Sequence, residues 1–388
     1  MHGGLRLKIL VLADDLTGAA EIGGIAFMHG LSTRIVFELN ETGLYPENVI
    51  IIDSNSRSLT PEQASQKVSG IAADLDFSIY DLVFKKVDSV LRGPVVSEIK
   101  ALITALNLNS AFLVPANPSK KRIIREGKYF INDIPINQTE FRFDPEYPRY
   151  SENVNELITD SSDIIATGIN AGQTLANKIM IPDITSENDM QQFVSKLPDK
   201  GVLLAGASDF FKRILSVKMN LQQHYDVAML KLSDMNHFII GTNTESSKET
   251  IKTLTQKGYS LFRMPLSAAG NEDSFNEWIS SIRKELKMHS QIVVSVPDER
   301  IEDQRITKEM TARLVIIAKM IVENGPARSQ IFIEGGETAS LFFRIMDWDE
   351  LSVIQASEEG AVSLKYKDSE TIISIKPGSY RWPEQILK

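Results

Sequence analysis

Lys85-Lys86-Val87-Asp88-Ser89-Val90-Leu91-Arg92-Gly93 follows a short apolar run, Leu82 to Phe84, and precedes a helix-like pattern that starts near Pro94. A buried strand that runs into a polar loop and then a helix is the repeating unit of an open α/β sheet. Ligands in such sheets bind beyond the carboxyl ends of the strands. Here that edge carries two lysines, an aspartate, a serine and an arginine. Lysine and arginine can hold an anion, and the aspartate can take a proton from a hydroxyl. The stretch therefore suits a ligand that is both an acid and an alcohol.

Working outward, the same rhythm recurs. Residues 8–13, 33–37, 49–53, 82–86, 111–114 and 202–205 are continuous apolar runs, as expected of strands buried on both faces of a parallel sheet. Helical patterns such as 17–29 and 61–75 lie between them, which predicts a doubly wound sheet. Residues 122–148 break the rhythm with Gly127, Pro135, Pro145, Pro148 and alternating aromatics, and read as a hairpin or lid. A second start appears at Phe238-Ile239-Ile240-Gly241. A helix follows from about Ser246, then strands near 260–263, 292–295 and 331–333. Three β-like runs, 351–355, 361–366 and 371–376, read as an antiparallel meander. The expected fold class is α/β with two domains, each a mainly parallel sheet flanked by helices, the second carrying the meander. The domains are placed at 1–232 and 233–388, with the boundary in the polar stretch 231–237.

The chain has 388 residues, 43% of them hydrophobic and 24% charged, the composition of a soluble globular protein too large for one ordinary core. Its formal net charge of -9 argues against broad nucleic-acid binding. A small anion would need a local exception to that field, and Lys85, Lys86, Arg92, Lys120, Lys121, Arg122 and Arg125 supply one. The absence of cysteine excludes disulfides, thiolate metal sites and cysteine nucleophiles. No secretory signal and no membrane-length apolar stretch is seen, so the cytoplasm is the expected location and no membrane partner is expected. The five histidines do not pair at metal-ligand spacing.

Three further loops carry chemistry. Asp14-Asp15-Leu16-Thr17-Gly18 directly follows the first strand; either aspartate or Thr17 could cap the next helix, but two adjacent carboxylates could also take a substrate hydroxyl. Arg57, in Asp53-Ser54-Asn55-Ser56-Arg57, would reach the same sheet edge and suit a carboxylate, with a surface salt bridge as the plain alternative. Gly335-Gly336-Glu337-Thr338 lies between a strand and a helix, where free backbone N–H groups attract phosphate; a tight turn capped by Thr338 would read the same way. Gly241-Thr242-Asn243-Thr244 and Lys376-Pro377-Gly378-Ser379 are similar turns that could join it around a nucleotide. No P-loop occurs, and the dinucleotide fingerprint is also missing, which counts against a dehydrogenase.

With these residues in hand, the chain resembles the four-carbon acid sugar kinase family, which phosphorylates tetronates such as threonate and erythronate. The resemblance runs from about Leu10 to Pro383. It is carried by Ala13-Asp14-Asp15-Leu16-Thr17-Gly18-Ala19, Ser56-Arg57, Lys86-Val87-Asp88-Ser89 with Leu91-Arg92-Gly93, Pro115-Ala116 with Pro118, Asp144-Pro145, the Gly335 turn and the Lys376-to-Ser379 turn. The chain departs from the family pattern at Val90, where threonine is usual, and at Asn117, where an aromatic is usual. Further departures are Ser119-Lys120-Lys121, Ala207-Ser208-Asp209, Glu337 and Tyr380-Arg381.

The resemblance implies that the first domain holds a sugar acid and the second holds ATP. Asp14, Asp15, Arg57, Lys86, Asp88, Ser89 and Arg92 would bind the sugar acid, with Asp15 or Asp88 as base. Thr242, Thr244, Gly335, Gly336, Glu337, Thr338 and Gly378 would bind ATP. Mg²⁺ would bridge the phosphates with help from water and an unassigned carboxylate. A homodimer is the base expectation for assembly. A non-catalytic sugar-acid sensor is the rival reading.

Overall fold

The computed structural model describes residues 7–40, 44–144, 146–158, 165–169, 173–224, 235–288, 291–299, 301, 303–324, 329–367, 369–378 and 380–387. The chain divides into two compact units, Met1–Gln223 and His224–Lys388. The boundary expected between residues 232 and 233 lies outside the described residues.

The first unit opens with β1 (Ile9–Ala13), α1 (Leu16–Met28), β2 (Thr33–Val36), β3 (Val49–Asp53), α2 (Pro61–Ala73), β4 (Leu82–Lys86), α3 (Val95–Ala105) and β5 (Ala111–Val114). It continues through β6 (Arg122–Arg125), β7 (Lys128–Ile131), β8 (Ile134–Pro135), α4 (Val154–Leu157), β9 (Ile165–Thr167), β10 (Ile179–Ile181), α5 (Glu187–Ser195), β11 (Leu203–Gly206) and α6 (Ser208–Arg213). Its main sheet has the order β2-β3-β1-β4-β11-β5-β10-β9, with neighbours parallel. Every residue of β1 is fully buried, which is why its sequence is an unbroken apolar run.

β3 joins one edge of β1 and β4 joins the other, so the direction of travel across the sheet reverses at β1. The register sets Ala13 opposite Asp53 on β3 and opposite Lys86 on β4. The loops after these three strands therefore leave the sheet at one level. This is a topological switch point, the place where open α/β sheets form ligand crevices.

Residues 122–135 form the predicted departure from the main sheet, a small antiparallel sheet of order β6-β7-β8. The buried Tyr129 of β7 donates its hydroxyl to the Ser89 carbonyl at 2.7 Å and so ties this hairpin to the loop after β4.

The second unit contains β12 (Met235–Ile240), α7 (Glu245–Gln256), β13 (Ser260–Arg263), α8 (Leu266–Gly270), α9 (Glu272–Leu286), β14 (Ile292–Ser295) and α10 (Gln304–Asn324). It ends with β15 (Ser329–Glu334), α11 (Gly336–Ile345), β16 (Glu350–Ala356), β17 (Val362–Lys365), β18 (Ile372–Lys376) and α12 (Glu384–Leu387). Its strand order is β13-β14-β12-β15-β18-β17-β16, parallel as far as β18 and antiparallel through the meander. Phe238 stacks on Phe332 at 4.5 Å, and Trp382 packs edge-on to Phe332 at 5.2 Å. Trp278, Trp348 and Trp382 are all buried, in keeping with the packing role expected of them.

One strand start needs correction. Met235, Asn236 and His237, expected in the linker, form the first half of β12, in register with Ser329, Gln330 and Ile331. Pairing with β15 and burial of His237 outweigh the polar look of the segment.

Candidate active site

At the end of β1, Asp15 has extended backbone and caps α1, accepting from the Gly18 N–H at 2.7 Å. The capping role foreseen for it is real. Its other oxygen accepts from Arg57 Nη1 at 2.6 Å, while Arg57 Nε donates to Asp14 Oδ2 at 2.8 Å. Arg57 is thus a clasp across two adjacent carboxylates. Asp14 is buried and its Oδ1 has no hydrogen-bond partner, whereas the Asp15 side chain keeps 22% of its surface exposed. The two acids part in character. Burial acts to raise Asp14, but Arg57, Lys85 and Lys86 outweigh it and hold its carboxyl below the usual range. Burial together with the neighbouring Asp14 charge raises Asp15, against the pull of Arg57.

The loop after β4 brings the remaining residues to the same place. Lys86 is buried, lies 3.7 Å from Glu21 Oε2, and donates to the Val87 carbonyl at 2.9 Å. Asp88 is gripped by Arg92, whose Nη1 also reaches Asp144 Oδ2 at 3.2 Å. Burial acts upward on Asp88, but Arg92 and then Arg57 hold it far below the usual carboxylate range. Ser89 Oγ accepts from Arg122 Nη1. Asp14, Asp15, Arg57, Lys86, Asp88, Ser89 and Arg92 therefore gather at the switch point.

Several partners were not foreseen. Asp53 is buried at the end of β3, and burial plus the Asp15 charge push its carboxyl up to about 7. Glu21, one and a half turns into α1, accepts from Lys120 at 2.6 Å; burial opposes ionisation, but Lys120 and Lys86 bring it to about 2. Lys85 turns instead to Glu98 at 3.2 Å, both side chains being buried. Asn117 is buried and bonds Ser208 and the Asp209 N–H, so its amide anchors a polar network. Only the strand-end position of Asp53 was visible in the sequence. The Glu21–Lys120 and Asn117–Ser208 pairings join segments 99 and 91 residues apart along the chain.

In the second unit, the three glycine turns converge. Gly335 has φ of 114° and a side chain there would lie 3.1 Å from Thr242 Cγ2; one at Gly378 would lie 2.5 Å from the same methyl. Thr244 caps α7 and donates to the Gly378 carbonyl at 3.2 Å. Gly336 starts α11, Glu337 is exposed in its first turn, and Thr338 is buried beside them. Beneath the turns sits Glu334, fully buried. It accepts from Thr242 at 3.1 Å, from Ser247, and from Trp382 Nε1 at 3.1 Å, and pairs with Lys376 at 2.9 Å. One carboxylate thus fixes loops from three parts of the chain.

Among the described residues, no group of three or more histidine, aspartate and glutamate side chains is placed to hold a metal ion. Such a surface fits Mg²⁺ only as a phosphate-bound ion that keeps much of its water and takes one or two carboxylates, which is its habit at nucleotide sites. No helix among the described residues is long and apolar enough to cross a membrane.

A D-threonate kinase of Salmonella typhimurium is 22% identical over 371 residues, 86% of this chain and 85% of that protein. A D-erythronate kinase of Heliobacterium modesticaldum is 32% identical over 159 residues, 40% of this chain and 36% of its own. The crystal structure of a Haemophilus influenzae protein shares the fold, with a TM-score of 0.73 at 16% identity over 96% of both chains. A family model described as the sugar-binding N-terminal domain matches residues 9–214, the part that carries the switch-point cluster. The chain belongs to that sugar-binding N-terminal domain family, among the four-carbon acid sugar kinases that its motifs resemble.

Proposed function

We propose that this chain is an ATP-dependent kinase that phosphorylates a hydroxyl of a four-carbon sugar acid of the threonate or erythronate kind. The observation that carries the reading is the cluster at the switch point of the first unit. There, two carboxylates of opposed character share Arg57, and Lys86, Asp88 and Arg92 lie beside them. A polyhydroxy acid needs both kinds of group, cations for its carboxylate and acceptors for its hydroxyls.

Asp15 is the base in this reading. It is partly exposed, and its raised pKa makes it a better proton acceptor than Asp88, whose lone pairs are taken by Arg92. It accepts the proton as the substrate oxygen bonds to the γ-phosphorus and ADP leaves. Asp14 Oδ1 is an acceptor for a second hydroxyl. Asp88 and Ser89 position, and Arg57 and Lys86 supply the positive field. The second unit holds ATP at the N-terminus of α11 and the turns containing Thr242, Thr244 and Gly378. Backbone N–H groups at such a helix start favour phosphate. Mg²⁺, when bound with the nucleotide, neutralises charge developing on the phosphates.

The test is an ADP-release assay with ATP and Mg²⁺ over a panel of four-carbon sugar acids, with calorimetry alongside. Turnover of one or more acids is expected. Tight binding of an acid with no ADP released would make the chain a sensor instead.

A further inference from the structure

Arg149 belongs to none of the groups assigned above. It is buried, with 3% of its surface exposed. Its Nη1 donates to the Leu157 carbonyl at 3.0 Å, but Nε and Nη2 are buried without an acceptor. Those two nitrogens share one edge of the guanidinium, where two N–H bonds run side by side at the spacing of a carboxylate's oxygens. Arg92 shows the same edge in use, with Nε and Nη2 on the two oxygens of Asp88 at 2.9 and 3.0 Å.

The position of Arg149 is that of a binding group. Its guanidinium lies 5.9 Å from the centre of the Tyr147 ring, and the Tyr147 hydroxyl donates to the Arg57 carbonyl at 2.6 Å. Asp88, Arg92 and Asp144 are all within its electrostatic reach. A buried charged donor without an acceptor is strongly unfavourable, so its partner is expected from outside the chain. The neighbouring cations differ in this respect. Arg57 is held by Asp14 and Asp15, Arg92 by Asp88, and Lys86 by Glu21. An external carboxylate would have to compete with the protein's own acids for any of them. On Arg149 it would only add bonds.

We propose that Arg149 receives the substrate's carboxylate through its Nε–Nη2 edge and sets the preference for acids over neutral polyols. This rests on the sugar-acid reading given above. Both nitrogens are sealed from solvent in the unliganded chain, so side chains around them shift as the acid enters. The sealing also excludes water that would weaken the pair.

The experiment compares D-threonate and D-erythronate with their carboxamides, by calorimetry, on wild type, Arg149→Gln and Arg149→Lys. Wild type should prefer acid to amide. In Arg149→Gln the acid should bind roughly 30-fold more weakly or worse, with amide binding and the KM for ATP little changed. Arg149→Lys, which keeps charge without the fork, should fall between. An acid-to-amide ratio equal to wild type in Arg149→Gln overturns the proposal and leaves the kinase reading standing. Should that variant fail to fold, the same result in Arg149→Lys overturns it. A wild-type chain that binds neither the acids nor the amides ends both.

Discussion

Asp88 accepts from Arg92 at three donors: the backbone N–H at 3.1 Å, Nε at 2.9 Å and Nη2 at 3.0 Å. A carboxylate so fully engaged is set to orient a neighbour and is a poor proton acceptor. Asp88→Asn should therefore release Arg92 and raise the KM for the sugar acid, with kcat falling by about tenfold or less. A kcat loss beyond about 100-fold at saturating acid would return the role of base to Asp88.

Asp15→Asn should do the reverse, cutting kcat by roughly 10²–10⁴-fold while sugar-acid binding persists. A base must be ionised to act. Because burial and Asp14 raise Asp15, wild-type turnover should fall, as pH is lowered, at a value above the ordinary carboxylate range. Asp14→Asn removes the like charge and should move that acid limb to lower pH. A limb that stays put in pH-rate profiles of Asp14→Asn would remove Asp15 from the role.

The Lys376–Glu334 pair has both side chains fully buried at 2.9 Å. Burial pushes the Lys376 pKa down, and Glu334 opposes this. Lys376→Met leaves an uncompensated carboxylate and should lower stability by about 3–5 kcal/mol in denaturant titration. The double variant Lys376→Met, Glu334→Gln should recover much of that loss and still bind ATP poorly, since Thr242 and Ser247 lose their charged acceptor. Unaltered ATP affinity in the double variant would separate the buried pair from the nucleotide turns.

His237 is fully buried and neither ring nitrogen has a partner, so desolvation brings its pKa from 6.5 to about 4. On acidification the unfolded chain takes up this proton before the folded one does. The associated stability, roughly 3 kcal/mol, is complete above pH 6.5 and drains away as pH falls toward 4. His237→Leu should flatten that limb of the unfolding free energy. An unchanged slope between pH 6.5 and 4 would show that other groups set it.

The sheet strands were readable because a strand buried on both faces needs no alternation: 49–53, 82–86 and 111–114 were expected and are β3, β4 and β5. β9 and β10 are three residues each, too short for such a signal. The switch-point loops were readable since strand ends and glycine turns are local features. Their pairings were not. Arg57 meets Asp14 and Asp15 across 43 and 42 residues, and Glu334 meets Thr242 and Ser247 across 92 and 87. Arg149 escaped notice for a related reason. Its significance lies in partners that it lacks, which no sequence pattern records.

The anchoring of three turns on Glu334 has a bearing on biosynthesis. Its partners Lys376 and Trp382 are made long after Thr242 and Ser247, and β18 must slide in beside β15 before the set is complete. Domains generally fold as units during translation, the earlier one first. A nascent chain would thus own a finished switch-point cluster while the turns held by Glu334 were still unpinned. If the chain is the kinase proposed above, a ribosome stalled short of Lys376 would carry a product able to bind the sugar acid and unable to hold ATP firmly.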